Sequence, residues 1–268
     1  MPDLTRIRHV VLDMDGTIYK GTRLFDSTLP FLERLRRCGI GYTFLTNNTS
    51  RSKSDYVQKL RGFGIKCDKQ QIYTPADSTI VCLHEHHPAA RSIAVLGTPS
   101  LCAQFEAAGF TVTWDAPQAV VVGFDTGLTY EHLCRTAYWI SQGLPFIATH
   151  PDLVCPTDEP TVLVDCGSIC AALSAATGRQ PVVLGKPDPS ILLDLCRSVG
   201  LAPNQVAMVG DRIYTDIAMA RAAGTLSVLV LTGEATAQEA AAMPQPADLV
   251  LADIGLLGEL LAPVEVNG

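Results

Sequence analysis

The chain has no C-x-x-C pair, although nine cysteines occur among its 268 residues. They are odd in number and scattered from Cys38 to Cys196, which argues against a disulfide framework and for buried thiols. The closest pair, Cys166 and Cys170, has no further ligands in reach and makes a poor zinc site. No apolar run approaches the roughly eighteen residues of a membrane span. The longest runs are strand-sized, such as SVLVL at 227–231. There is no basic cluster, and 20 Lys and Arg against 27 Asp and Glu give a net charge of −7, so nucleic-acid polymers are not expected partners. No G-x-x-x-x-G-K-[ST] occurs, which disfavours P-loop nucleotide hydrolysis, and H-E-H-H at 84–87 lacks the H-E-x-x-H spacing of a zinc helix. Aromatics make up 6% of the chain, and Trp114 and Trp139 read as packing residues rather than base-stacking platforms. The opening MPDLTRIRHVVLDMDG has no secretory h-region, so a reducing, cytoplasmic compartment is expected.

What is present is 47% hydrophobic and arranged in short apolar runs between helix-period segments. HVVLD (9–13) and YTFLT (42–46) read as strands with a helix over 29–37 between them, Pro30 in its first turn and Gly39 at its end. Further strands are expected at 92–97, 119–125, 145–149, 205–211, 226–233 and 248–253, and a surface helix and loop at 235–246. Continuous Val/Ile/Leu runs of this kind belong to buried parallel strands, so the fold class is layered α/β with mostly parallel sheets. The strand ends that bear Asp and Gly cluster at the two ends of the sequence, which points to one domain inserted in another.

Four strand exits carry chemistry. In VVLDMDGTIYKG, Asp13 and Asp15 leave a strand two residues apart, where one carboxylate can attack while the other, turned by Gly16, works as acid and base. Taken alone, an aspartate turn accounts for this motif as well. In FLTNNTS, Thr46, Asn47 and Asn48 offer a hydroxyl, amides and backbone donors to a phosphate oxygen, or else lead into a helix cap. In VVLGKPDPS, Lys186 lies between fixed Gly and Pro neighbours, either as a positioned cation or as a solvated charge. In VAMVGDRIYTDIAMARAAG, Asp211 ends a strand and Asp216 follows about a turn later, a hard-oxygen pair suited to Mg²⁺.

Together DMDGT, LTNN, GKP and GDRIYTD resemble the four motifs of the haloacid dehalogenase (HAD) superfamily of phosphotransferases. The intervening AVVVGFD, FIATHPD and GSICAALSAATGR resemble the α/β cap of its NagD-type, or p-nitrophenylphosphatase, subfamily. The resemblance implies a Rossmann-like, doubly wound parallel-sheet core at 1–76 and 184–268 with an inserted α/β cap at 77–183. It makes Asp13 the nucleophile that becomes an aspartyl-phosphate, and Asp15 the acid that protonates the leaving oxygen and then activates water. Thr46 and Lys186 would hold the phosphoryl group, with Asn47 and Asn48 in the same loop. Mg²⁺ would sit on Asp13, the Asp15 carbonyl and Asp211, with Asp216 in support. In the cap, Asp125, His150 and Asp152 would line the pocket of a small phosphate ester. Relatives often dimerise through this cap, so a homodimer is an open expectation.

One departure from the family pattern stands out. Many relatives read A-T-N-P-D where this chain has Ala148, Thr149, His150, Pro151 and Asp152. A histidine there either contacts a substrate group or caps a turn. The implied function is a Mg²⁺-dependent phosphatase of small monoesters such as sugar phosphates, nucleoside monophosphates or p-nitrophenyl phosphate. Its alternatives are a phosphotransferase or phosphomutase on the same core, or a non-catalytic phosphate-sensing module like a response-regulator receiver. The second carboxylate of D-x-D and the long insertion both count against the receiver reading.

Overall fold

The computed structural model describes residues 2–156 and 161–261. Residues 262–268 of the expected third segment, and 157–160 within the expected cap, lie outside the described residues. The chain divides into two compact units: the first comprises residues up to Thr46, Val57–Tyr73 and the chain from Lys186 on; the second comprises Asn47–Tyr56 and Thr74–Gly185.

The first unit is built on a parallel sheet in the order Leu249–Leu251, Leu226–Val230, Val206–Gly210, His9–Asp13, Gly41–Leu45, Ile72–Tyr73. From His9–Asp13 the chain crosses through helix Thr28–Arg37 to its neighbour on one side, Gly41–Leu45. From Val206–Gly210 it crosses through helix Ala218–Ala223 to the neighbour on the other side, Leu226–Val230. Right-handed crossovers in opposite directions put helices on both faces, so the strand order reverses between His9–Asp13 and Val206–Gly210. Val11 and Met208, paired in register, pack with Leu195 and Met219 on one face. Helices Thr28–Arg37 and Ile254–Leu260 pack against each other and bury Phe31, Leu35, Ile254 and Leu257. The chain therefore buries apolar surface on both sides of every central strand, as continuous apolar runs require.

The second unit carries its own parallel sheet, ordered Val182–Val183, Phe146–Ala148, Ala119–Val122, Ser92–Leu96, Thr111–Val112. In Ala119–Val122 alternate residues face opposite ways. Ala119 and Val121 join Leu83, Leu101 and Phe105, while Val120 and Val122 join Ile140, Ile169 and Leu173. Both faces are thus cores, which is why the run shows no polar alternation. Trp114 and Trp139 pack against the second of these clusters, and His84 stacks on Phe110.

Several expected boundaries shift for local reasons. The strand expected over 119–125 ends at Val122, because the next ladder position is taken over when the Phe124 N–H donates to the Thr49 hydroxyl. The strand expected to 253 ends at Leu251, and Asp253 instead caps helix Ile254–Leu260 by accepting from the Gly255 N–H. The helix expected within 235–246 occupies Ala237–Ala242, with Thr236 and Glu239 forming its capping box. Among the described residues no helix is long and apolar enough to cross a membrane, and all nine cysteines are free.

His9 opens the central strand and is buried, with Nε2 2.9 Å from the Thr43 hydroxyl. Its register partner is Gly41, where any side chain would collide with the imidazole. Burial holds the His9 pKa down from 6.5 to about 4. The folded ring stays neutral while the unfolded one takes up a proton, so stability is lost as pH falls from near 6.5 toward 4. Denaturant titrations at pH 7 and pH 5 should show His9→Gln escaping roughly 2 kcal/mol of the acid-induced loss seen in the unaltered protein.

Candidate active site

The first unit gathers its polar side chains where the strand order reverses, at the carboxyl ends of His9–Asp13 and Val206–Gly210. Asp13 is the last residue of its strand and is 8% exposed. After it the chain turns sharply: Met14 enters the core, Asp15 is exposed, and Gly16 adopts a positive φ of 87°. Gly16 serves twice, since its φ disfavours a side chain and a Cβ there would run into the Asp211 carboxylate. The turn is closed by the Gly16 N–H donating to the Tyr19 carbonyl at 2.7 Å and by the Thr232 hydroxyl donating to the Gly16 carbonyl at 2.6 Å.

Lys186 binds this region together. It is 3% exposed, and its ammonium donates to Asp13 Oδ1 and, at 2.7 Å, to Asp216 Oδ1. Asp216 is fully buried and also accepts from the Arg212 N–H at 3.1 Å. It lies in the π-helical turn Ile213–Ile217, which runs directly into helix Ala218–Ala223. Asp211 follows strand Val206–Gly210 directly and accepts from the Glu234 N–H at 2.7 Å. Arg212 pairs with Glu234 at 3.0 Å. Thr46 is buried at the exit of Gly41–Leu45, its N–H donating to the Tyr73 carbonyl at 3.2 Å.

The electrostatics follow from this crowding. Burial pushes Asp13 up to about 6; Lys186 opposes the shift and Asp211 adds to it. Burial also pushes Asp216 up to about 6 against the pull of Lys186. Asp211 is raised by burial and by Asp216. For Lys186, burial alone would lower the pKa, but Asp13 and Asp216 more than reverse it, so the ammonium is held above the ordinary lysine range. Asp13, Asp211 and Asp216 place one carboxylate oxygen each within 4.8 Å of one another, all buried. Three carboxylates against one ammonium leave negative charge in excess, and the all-oxygen donor set fits a hard divalent cation.

The remaining expected residues belong to the second unit. Asn47 donates through Nδ2 to Asp152 Oδ1 at 3.1 Å. Asn48 accepts from the Ser50 N–H at 2.8 Å and hydroxyl at 2.7 Å, closing its own turn. Asp125 accepts from the Gly127 N–H at 2.8 Å and closes another. His150 has no exposed surface, and burial holds its pKa down to about 4. The ring faces Asp165 at 3.5 Å, the Thr49 hydroxyl at 3.5 Å and Asp152 at 3.8 Å.

Sequence reasoning missed Thr232, Glu234 and Arg212 around the first unit's aspartates, and Asp165 and Thr49 around His150. The first two follow the strand Leu226–Val230, whose exit obeys the same carboxyl-end rule as the other motifs. Asp165 was legible only as the residue before a helix.

Comparison with known proteins adds the following. The model of the haloacid dehalogenase-like hydrolases matches residues 10–111, and a HAD-hydrolase-like model matches 183–257. These two stretches contain all four motifs. The chain is 34% identical over 223 residues to the 5'-nucleotidase YutF of Bacillus subtilis (strain 168), covering 83% of this chain and 86% of that protein. In structure it resembles the 4-nitrophenylphosphatase of Thermotoga maritima, with a TM-score of 0.91, 39% identity, and 96% and 98% of the two chains covered. It also resembles the glycerol phosphate phosphatase of Mycobacterium tuberculosis in complex with magnesium, with a TM-score of 0.87, 29% identity, and 100% and 83% covered.

Removing Lys186 would leave Asp13 and Asp216 buried without their ammonium. Lys186→Met should therefore cost about 3–5 kcal/mol of unfolding free energy near neutral pH. Because both carboxylates titrate near pH 6, the cost should shrink at pH 5, where protonation removes the charges that need the lysine. Urea titrations at the two pH values measure the difference.

Proposed function

The chain belongs to the haloacid dehalogenase-like hydrolases, in their NagD-type branch, and from that membership we propose that it hydrolyses small phosphate monoesters through a covalent intermediate on Asp13. The observation that carries this reading is Lys186 held between Asp13 and Asp216 beside Asp211, at the point where the parallel sheet reverses.

Asp13 is the nucleophile. With a pKa near 6 it is largely ionised at neutral pH yet more basic than an ordinary carboxylate. Its oxygen attacks phosphorus while the bond from phosphorus to the ester oxygen breaks. Asp15, exposed on the Gly16 turn, gives its proton to the leaving alkoxide. In the second half, water attacks the aspartyl-phosphate, Asp15 takes the proton from that water, and the bond from phosphorus to Asp13 breaks to release phosphate. Lys186 offsets the charge that the phosphate brings beside Asp13, and the Thr46 hydroxyl holds a phosphoryl oxygen.

The all-oxygen donors suit Mg²⁺ held by Asp13, the Asp15 carbonyl and Asp211, with Asp216 in support; bound there, it would neutralise the carboxylates and draw charge from the phosphoryl oxygens. Two unit charges about 4 Å apart at an effective dielectric of 20 interact by about 4 kcal/mol, so an uncompensated carboxylate cluster would repel a phosphate strongly. We read the inserted segment, 77–183 in the expected division, as the part that selects the ester. The names of the similar proteins, a nucleotidase, a nitrophenylphosphatase and a glycerol phosphate phosphatase, support small monoesters as the substrate class.

Phosphate release from a panel of monoesters, with p-nitrophenyl phosphate among them, tests the reading. Turnover should require Mg²⁺, stop in EDTA and vanish in Asp13→Asn. Asp15→Asn should lose on the order of 10² to 10⁴ in rate. Full activity in EDTA or in Asp13→Asn would sink the mechanism.

A further inference from the structure

Thr46 and Lys186, the two residues that hold the phosphoryl group in the scheme above, stand where the chain changes units. It passes from the first unit to the second between Thr46 and Asn47, and returns between Gly185 and Lys186. Asn47 follows a strand of the first unit by two residues, yet it and its successors are tied into the second. Asn47 Nδ2 donates to Asp152 Oδ1 at 3.1 Å, the Thr49 hydroxyl accepts from the Phe124 N–H at 3.0 Å, and the Ser50 carbonyl accepts from the Thr98 hydroxyl at 3.2 Å. At the other crossing the Leu184 N–H donates to the Ala148 carbonyl at 2.9 Å. Gly185, with a φ of 77°, then passes so near that a Cβ would lie 2.8 Å from the Thr149 carbonyl oxygen and 2.7 Å from the His150 Cβ. The residues bonded to Thr46 and to Lys186 therefore both rest on one loop, residues 149–152.

That loop is fixed along its own backbone. The Thr149 N–H donates to the Val122 carbonyl at 2.9 Å, and the Gly167 N–H, in the first turn of helix Cys166–Thr177, donates to the Asp152 carbonyl at 2.8 Å. The approach of this helix depends on Gly167, where a Cβ would lie 2.2 Å from the Pro151 carbonyl oxygen. Between these anchors the His150 ring is fully buried, with Nε2 3.5 Å from both the Thr49 hydroxyl oxygen and Asp165 Oδ1. Groups whose supports are locked by packing and hydrogen bonds keep a reactive geometry to within about 0.5 Å. One planar peptide separates Asn47 from Thr46, and another Gly185 from Lys186, so a shift of either support is passed on with few dihedrals to absorb it.

We propose that loop 149–152 is a positioning element for phosphoryl transfer, which sets the Thr46 hydroxyl through Asn47 and the Lys186 ammonium through Gly185, with Asp152 as its polar positioning residue. This deepens the phosphatase reading and rests on it. One carboxylate oxygen of Asp152 is engaged by Asn47, and its carbonyl by Gly167. The loop thus serves the phosphoryl group that every monoester shares, and the choice among esters falls to other residues of the inserted segment. A displacement of about 1 Å at a reacting group costs on the order of 10²-fold in rate, which sets the scale of the effect.

Steady-state kinetics of the full chain with Mg²⁺, on p-nitrophenyl phosphate and glycerol phosphate, test the proposal beside Asp13→Asn. Asp152→Ala should lower kcat by about 10- to 100-fold, by the same factor on both esters and with KM within about twofold. Asp152→Asn keeps an accepting oxygen for Asn47 and should restore most of the rate. In an Asn47→Ala background, Asp152→Ala should change kcat by less than about twofold, because the bond through which it acts is already gone. Gly185→Ala acts at the other crossing and should lower kcat independently; it carries the test if circular dichroism shows Asp152→Ala unfolded. Unchanged kcat in either folded variant, or a loss that falls on KM and differs between the esters, overturns the positioning role and leaves the phosphatase reading standing. No turnover by the unaltered protein, or full turnover by Asp13→Asn, overturns both.

Discussion

A single buried ammonium holds the first unit's chemistry together. Lys186 lies 173 positions from Asp13 and 30 from Asp216, so its hydrogen bonds join residues far apart in the chain. Each carboxylate alone would be expensive to bury at the end of a strand, and each is pushed upward in pKa for that reason. The lysine offsets part of the cost without removing the excess of negative charge. A fully compensated cluster would have no electrostatic need for a cation, and an uncompensated one would not stay ionised. The region lies between these limits.

The backbone around it is shaped by the same constraint. Gly16 lets the turn pass against Asp211, Thr232 ties that turn to the end of a third strand, and Glu234 gives Asp211 a backbone donor while its side chain pairs with Arg212. These contacts tie together the exits of His9–Asp13, Val206–Gly210 and Leu226–Val230, three successive strands of the sheet, the first of them far from the other two in the chain. The reversal of strand order opens a crevice at this end of the sheet, where the carboxylates lie.

In the second unit the same architecture is used for another end. Its sheet is buried on both faces by two separate clusters, so polar groups concentrate where Phe146–Ala148 ends. His150 there is flanked by two aspartates rather than by solvent. The histidine at this position thus comes with a carboxylate on each side of the ring, and replacing it would alter more than one contact.

Much of this was legible beforehand. The strand His9–Asp13 appears as expected, because a continuous apolar run that ends in Asp and Gly has few other solutions. The two-residue strands Ile72–Tyr73 and Thr111–Val112 were not foreseen, since two residues show no period and are held by pairing with Phe44 and Leu45 or with Ser92 and Ile93. Asp15 and Lys186 stood out at strand exits with other readings open, and the family resemblance singled them out, whereas Arg212, Thr232 and Asp165 act through partners that spacing does not reveal. By itself the sequence determined the parallel α/β class and the strand exits that carry a carboxylate, a hydroxyl or a lysine, because apolar period and turn chemistry are local properties. Only the tertiary structure decided that Lys186 is shared by Asp13 and Asp216, and that His150 is enclosed between Asp152 and Asp165. Which charges share one buried volume depends on the order of strands in the sheet, and that order is not the order of the chain.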